Sequence, residues 1–100
     1  MTISSAQLRT MANELDETNE DGRNPVINLV VTTLQSARKS ARALEAGNMG
    51  RFESGAQQEI ENALVMAEAA KAYTLPELPA GRTHIATWDK ATKTFTVRSF

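Results

Sequence analysis

Histidine occurs once in this sequence, at position 84, and cysteine does not occur at all. A transition-metal site needs three or four nitrogen or sulfur ligands, so His84 has no partners with which to complete one. Cysteine–histidine catalysis is ruled out on the same count, and no Ser–His–acid set can be assembled from the pattern. Glu59, Glu61 and Glu68 could in principle serve as an acid–base pair or hold a hard cation. Carboxylates spread along the solvent side of a helix instead read as solvated charges. Gly47, Gly50 and Gly55 lie between helices without the lysine or the spacing of a phosphate-gripping loop. The residues point away from an enzyme, and they call for no cofactor and no metal.

What remains is chemistry of binding. Arg38, Lys39 and Arg42, with Gln35, fall at i, i+3, i+4 and i+7 and form a basic stripe that could follow a phosphate backbone. The competing reading pairs these cations with Glu45 and the acids of the third helix. Asp16, Glu17, Glu20 and Asp21 make an acidic loop able to seat in a Lys/Arg groove of another protein, or simply to stay solvated. The last seventeen residues, HIATWDKATKTFTVRSF, hold the only Trp and two of the three Phe, beside Lys90 and Arg98. Aromatic side chains among arginines are a typical interface composition.

A chain of 100 residues sets these features on one small domain with a single modest core. Its 41% apolar and 23% charged residues are those of an ordinary globule. The net charge of −1 gives no global attraction to nucleic acid or anionic membrane. That total conceals alternating blocks. Acids outnumber bases 5 to 2 over residues 1–24 and 5 to 1 over 52–79, while bases lead 4 to 1 over 25–51 and over 80–100. The blocks are either binding patches or neutralise one another. No apolar run is long enough to cross a membrane, and the N-terminal segment lacks the basic start and apolar block of a signal peptide.

Three helices are expected. Ser4 and Gln7 form a capping box, Ile3 and Leu8 a hydrophobic staple, and Leu8, Met11, Ala12 and Leu15 one apolar stripe ending near Glu17. Asn24-Pro25 starts a second helix, whose face runs through Ile27, Val30, Val31, Leu34, Ala37, Ala41 and Leu44 to a stop at Gly47. Val26 and Leu29 widen its apolar arc. The third helix begins near Asn48 or at Ser54 and turns Phe52, Ala56, Ile60, Ala63, Leu64 and Ala67 inward. Val65, Met66, Ala69 and Tyr73 give it a second apolar edge. The short link makes helices two and three an antiparallel hairpin, with alanines letting the axes approach closely. The helical part covers 4–73, a proline-containing connector 74–82, and a two-stranded β-hairpin 83–100, which makes the chain α+β.

Pairing Ile85 with Val97 and Thr87 with Phe95 sets three apolar groups on one side of that hairpin. This register packs Ile85, Phe95 and Val97 on the helices and leaves Trp88, Arg98, His84 and Phe100 outward. Trp88 and Phe100 then become the expected anchors for a partner.

A tiny, cysteine-free, slightly acidic chain with a helical core, a hairpin and no catalytic set resembles small phage-encoded inhibitors, anti-CRISPR proteins among them. The resemblance is one of size and character over the whole chain. It implies a cytoplasmic protein of a bacterial host that docks on a CRISPR surveillance complex and blocks target DNA binding. The acidic loop or the helix-three carboxylates would compete for basic DNA-binding surface. The alternative is a small dimeric regulator that binds DNA or a toxin-like partner. Self-association through the wide arc at Val26 and Leu29 would double the Arg38–Arg42 stripe by symmetry.

Overall fold

The computed structural model describes residues 4–19, 22–47 and 53–100. Helix α1 (Ser5–Glu17) starts as its capping box dictates: the Ser4 hydroxyl accepts from the Gln7 N–H, and the Gln7 side chain accepts from the Ser4 N–H. Ile3, the other half of the expected staple, lies outside the described residues. Helix α2 (Pro25–Glu45) is capped by Asn24, whose side-chain Oδ1 accepts the N–H groups of Val26 and Ile27. It stops where Gly47 takes a φ of 73°, a backbone state that costs a β-carbon-bearing residue energy. Helix α3 spans Glu53–Ala72, so an earlier start near Asn48 falls outside the described residues.

Helices α1 and α2 run antiparallel, and their cross-links show it. Ser5 at the start of α1 meets Glu45 at the end of α2, while Asn19, just past α1, meets Asn24 and Asn28 at the start of α2. Further along, Ser36 and Ser40 of α2 reach Glu59 of α3. Helix α2 is thus central, packed against α1, α3 and both strands. Its wide arc follows from that position. Val26 is 1% exposed within the single chain, so its apolar surface needs no second copy to cover it.

The core joins Leu8, Ala12 and Leu15 of α1, Ile27, Val30, Leu34, Ala37 and Ala41 of α2, and Ile60, Ala63, Met66 and Ala67 of α3. Ala37 and Ala41 of α2 and Ala56, Ala63 and Ala67 of α3 are buried. Val65, on the expected second apolar edge of α3, is exposed instead.

Strands β1 (His84–Asp89) and β2 (Thr94–Ser99) form the antiparallel hairpin, and a reciprocal backbone pair between Thr83 and Phe100 extends the ladder. The register differs by one residue from the sequence expectation. Ala86 pairs with Val97, Thr87 with Thr96, and Trp88 with Phe95. The turn causes the shift. Asp89 closes a four-residue loop: its carboxylate accepts from the Ala91 and Thr92 N–H groups, and its carbonyl accepts from the Lys93 N–H. This makes Asp89 the last strand residue, opposite Thr94, rather than the first residue of a longer loop.

One residue of slip exchanges the two faces of β1, while β2 keeps Phe95 and Val97 inward as expected. His84, Ala86, Trp88, Phe95, Val97 and Ser99 turn toward the helices, and Ile85 and Arg98 turn away. Because Thr83 and Phe100 exchange both backbone bonds, alternation makes the three inward pairs the non-hydrogen-bonded kind, whose side chains sit closest. Trp88 and Phe95 accordingly stack with ring centroids 4.6 Å apart, and Phe95 meets Tyr73 edge-on at 5.7 Å. The indole N–H donates to the Asn62 carbonyl oxygen at 3.1 Å, which satisfies its one polar atom. An inward indole removes more apolar surface from water than Ile85 would, so packing and turn chemistry agree.

Candidate functional site

Trp88, expected from the sequence to be an exposed anchor, is part of the packed edge of the core, and that expectation is corrected. The other hairpin residues singled out do face solvent. Arg98 is exposed on the outer face, Phe100 is 66% exposed, and Lys90 lies exposed in the turn. The slip brings Ile85, 49% exposed, onto this face directly opposite Arg98. Thr83, which pairs with Phe100, is two residues before Ile85 on the same face, so Ile85 and Phe100 sit diagonally across the two strands. An apolar pair flanked by a guanidinium therefore replaces the expected indole. Thr87 and Thr96 continue the outer face as an exposed pair, with exposed Arg82 before the open end of the hairpin and exposed Lys90 and Lys93 in its turn.

The carboxylates of α3 are put to structural use or left solvated. Glu59 accepts hydroxyl bonds on both oxygens, from Ser36 at 2.7 Å and Ser40 at 2.8 Å, and so clasps the α2–α3 seam. Glu68 pairs with Lys71 on an exposed surface, and Glu61 is exposed. Asp16 and Glu17 are exposed at the end of α1, while Glu20 and Asp21 lie outside the described residues. Among the described residues, no group of three or more histidines, cysteines or acids is arranged to hold a metal ion. His84 brings its Nδ1 within 2.8 Å of the Ser99 hydroxyl across the strands, the short distance of a non-hydrogen-bonded pair.

Arg38 and Arg42, one turn apart on α2, do come together as the stripe required. They line a groove of about 580 Å³ between α2 and α1, and the facing wall brings Arg9, Ser5, Thr10 and Asn13. Lys39 is exposed on the same stretch of helix but does not line the groove. The expected partners of this stripe are engaged elsewhere. Serines hold Glu59, and Glu45 accepts the Ser5 N–H at 2.8 Å and the Ser5 hydroxyl at 2.9 Å. Those two Ser5 bonds, helped by the charge of Arg42, hold the Glu45 carboxyl below the usual carboxylate range. Among the described residues the single ion pair is Lys71–Glu68, so none of the three groove arginines has a carboxylate within salt-bridge distance.

Two functional candidates were missed in the sequence. Arg9 stands four residues from both Ser5 and Asn13, a polar face of α1 with no signal of its own until α2 is laid beside it. Ile85 was concealed by the choice of register. No family model matches the chain, and no curated protein or solved structure matches it.

Proposed function

We propose that this chain is a non-catalytic binding protein that docks on another protein through the outer face of its C-terminal hairpin. One observation carries the reading. Ile85 and Phe100, two of the largest exposed apolar side chains, share one face with Arg98, while the opposite face of the same two strands packs on the core. Anchors held on a scaffold that is itself packed lose little freedom on binding, which is what makes an apolar pair effective. Arg98 lies directly opposite Ile85, Arg82 is next to the Thr83–Phe100 pair in the chain, and the segment carries the single acid Asp89, so the complementary surface is an apolar pocket with carboxylates at its edge.

The resemblance to phage-encoded inhibitors gives this reading its specific form: docking on a CRISPR surveillance complex and blocking target DNA by occlusion. The exposed acids Asp16, Glu17, Glu61 and Glu68 supply negative charge of the sign that competes with DNA for a basic surface.

The test is a paired capture from bacterial lysate with the wild-type chain and with Ile85→Ser/Phe100→Ser. A protein retained by the wild type and lost more than about tenfold by the double variant is expected, with melting temperatures within a few degrees of each other. Equal retention by both chains would remove the hairpin as the docking face. For the specific form, a purified surveillance complex should lose target DNA binding when the wild-type chain is added. No effect on any complex tried would reject it.

A further inference from the structure

The groove between α1 and α2 has a composition that the fold does not explain. Arg9, Arg38 and Arg42 converge on it from two helices, and its remaining polar wall is Ser5, Thr10 and Asn13. Among the described residues no acid lines it, and Glu45, the carboxylate one turn from Arg42, has both oxygens engaged by Ser5. Three like charges along one cleft repel each other, and a salt bridge is the usual relief. The acids within reach are bonded to serines and make no salt bridge to these arginines, so the guanidinium N–H groups are left for a ligand even though the Glu45 charge acts on Arg42.

We infer that this groove binds the phosphodiester backbone of a nucleic-acid strand, a site separate from the hairpin face and independent of the docking reading. Guanidinium forks suit phosphate oxygens, which they take up two at a time. Arg38 and Arg42, one helical turn apart, place about 5–6 Å between their β-carbons and can serve successive groups along a strand. Exposed Lys39 extends the positive edge beyond the groove, which favours a polymer over a single small anion. Among the described residues no aromatic side chain lines the cleft, so they offer no platform for a base. Recognition there is of backbone and is independent of sequence.

The measurement is fluorescence anisotropy of a labelled oligothymidylate with the full chain between about 50 and 200 mM salt. Three phosphate contacts on a single strand give a log–log slope of about −2, a weakening of about 20-fold across that range. Arg9→Gln or Arg42→Gln alone should lower the slope to about −1.4, and the triple Arg9→Gln/Arg38→Gln/Arg42→Gln variant should not bind. Arg9 and Arg42 are exposed, so circular dichroism of the variants should match the wild type. Arg42→Lys keeps the charge and should keep the slope while losing affinity. An oligonucleotide that the triple variant binds as well as the wild type would overturn the site. So would binding of tripolyphosphate with no binding of the oligonucleotide.

Discussion

Replacing Trp88 with alanine should unfold this protein far more readily than replacing Ile85, although Ile85 is the residue whose aliphatic side chain looks like core. Three losses follow from Trp88→Ala. Truncating a fully buried Trp costs about 3–5 kcal/mol, and a half-buried indole scales to about 2 kcal/mol. The stacked contact with Phe95 at 4.6 Å adds about 1 kcal/mol. Losing the 3.1 Å bond to Asn62 adds about 1 kcal/mol more. The terms overlap, so the expected total is about 3 kcal/mol, a large share of the roughly 5–15 kcal/mol available to a domain. In a chain of this length that lowers the melting temperature by more than about 12 °C. Trp88→Phe keeps the ring contact and loses the hydrogen bond, which predicts about a third of the effect. Ile85→Ala, on the solvent side, should stay within about 0.5 kcal/mol. Urea unfolding followed by circular dichroism reads all three variants on one scale. The reverse order, with Ile85→Ala costly and Trp88→Ala silent, would refute the orientation of the hairpin.

Two further outcomes concern the helices. Asn19 is 7% exposed, donates to the Asn28 carbonyl oxygen at 2.8 Å and accepts the Asn24 N–H at 2.9 Å; Asn19→Ala should cost about 1–3 kcal/mol in urea unfolding, because those groups lose a buried partner. The folded state holds the Glu45 carboxyl below its unfolded value, so it prefers the charged form. Its contribution is therefore complete above the unfolded value of about 4.3 and disappears as pH falls through the folded one. Glu45→Gln should accordingly be less stable than the wild type at neutral pH and equal to it in strong acid. A gap that persists unchanged into acid would show that Ser5 does not recognise the charge.

The helices were legible because their ends are written in local chemistry. Ser4 with Gln7, Asn24 with Pro25, and Gly47 each act within a turn of the chain, and the apolar spacing between them is unbroken. The hairpin was legible as an element but not in its register. HIATWD carries apolar groups on both faces, Ile85 on one and Trp88 on the other, so alternation alone allows either to be inward. What decided it was the carboxylate of Asp89 folding back on the turn, worth a single residue of loop length. The site divides in the same manner. Arg38 and Arg42 could be read from one helix, whereas Arg9 joins them only through the packing of α1 on α2. Pairing of the stripe with Glu45 and the acids of α3 was expected from charge; serine hydroxyls hold the Glu45 and Glu59 carboxylates in place of a salt bridge, although the charges of Glu45 and Arg42 still act on each other.

Every claim about the outer face depends on which strand residues lie opposite each other, and proton nuclear Overhauser contacts report that directly. Trp88 and Phe95 form a non-hydrogen-bonded pair, whose α-carbons approach to about 4.5 Å, so a strong Hα–Hα contact between them is expected, together with one from the indole N–H to Asn62. A strong Hα–Hα contact between Thr87 and Phe95 in their place would turn Ile85 inward and expose the indole, and the docking face described here would not exist.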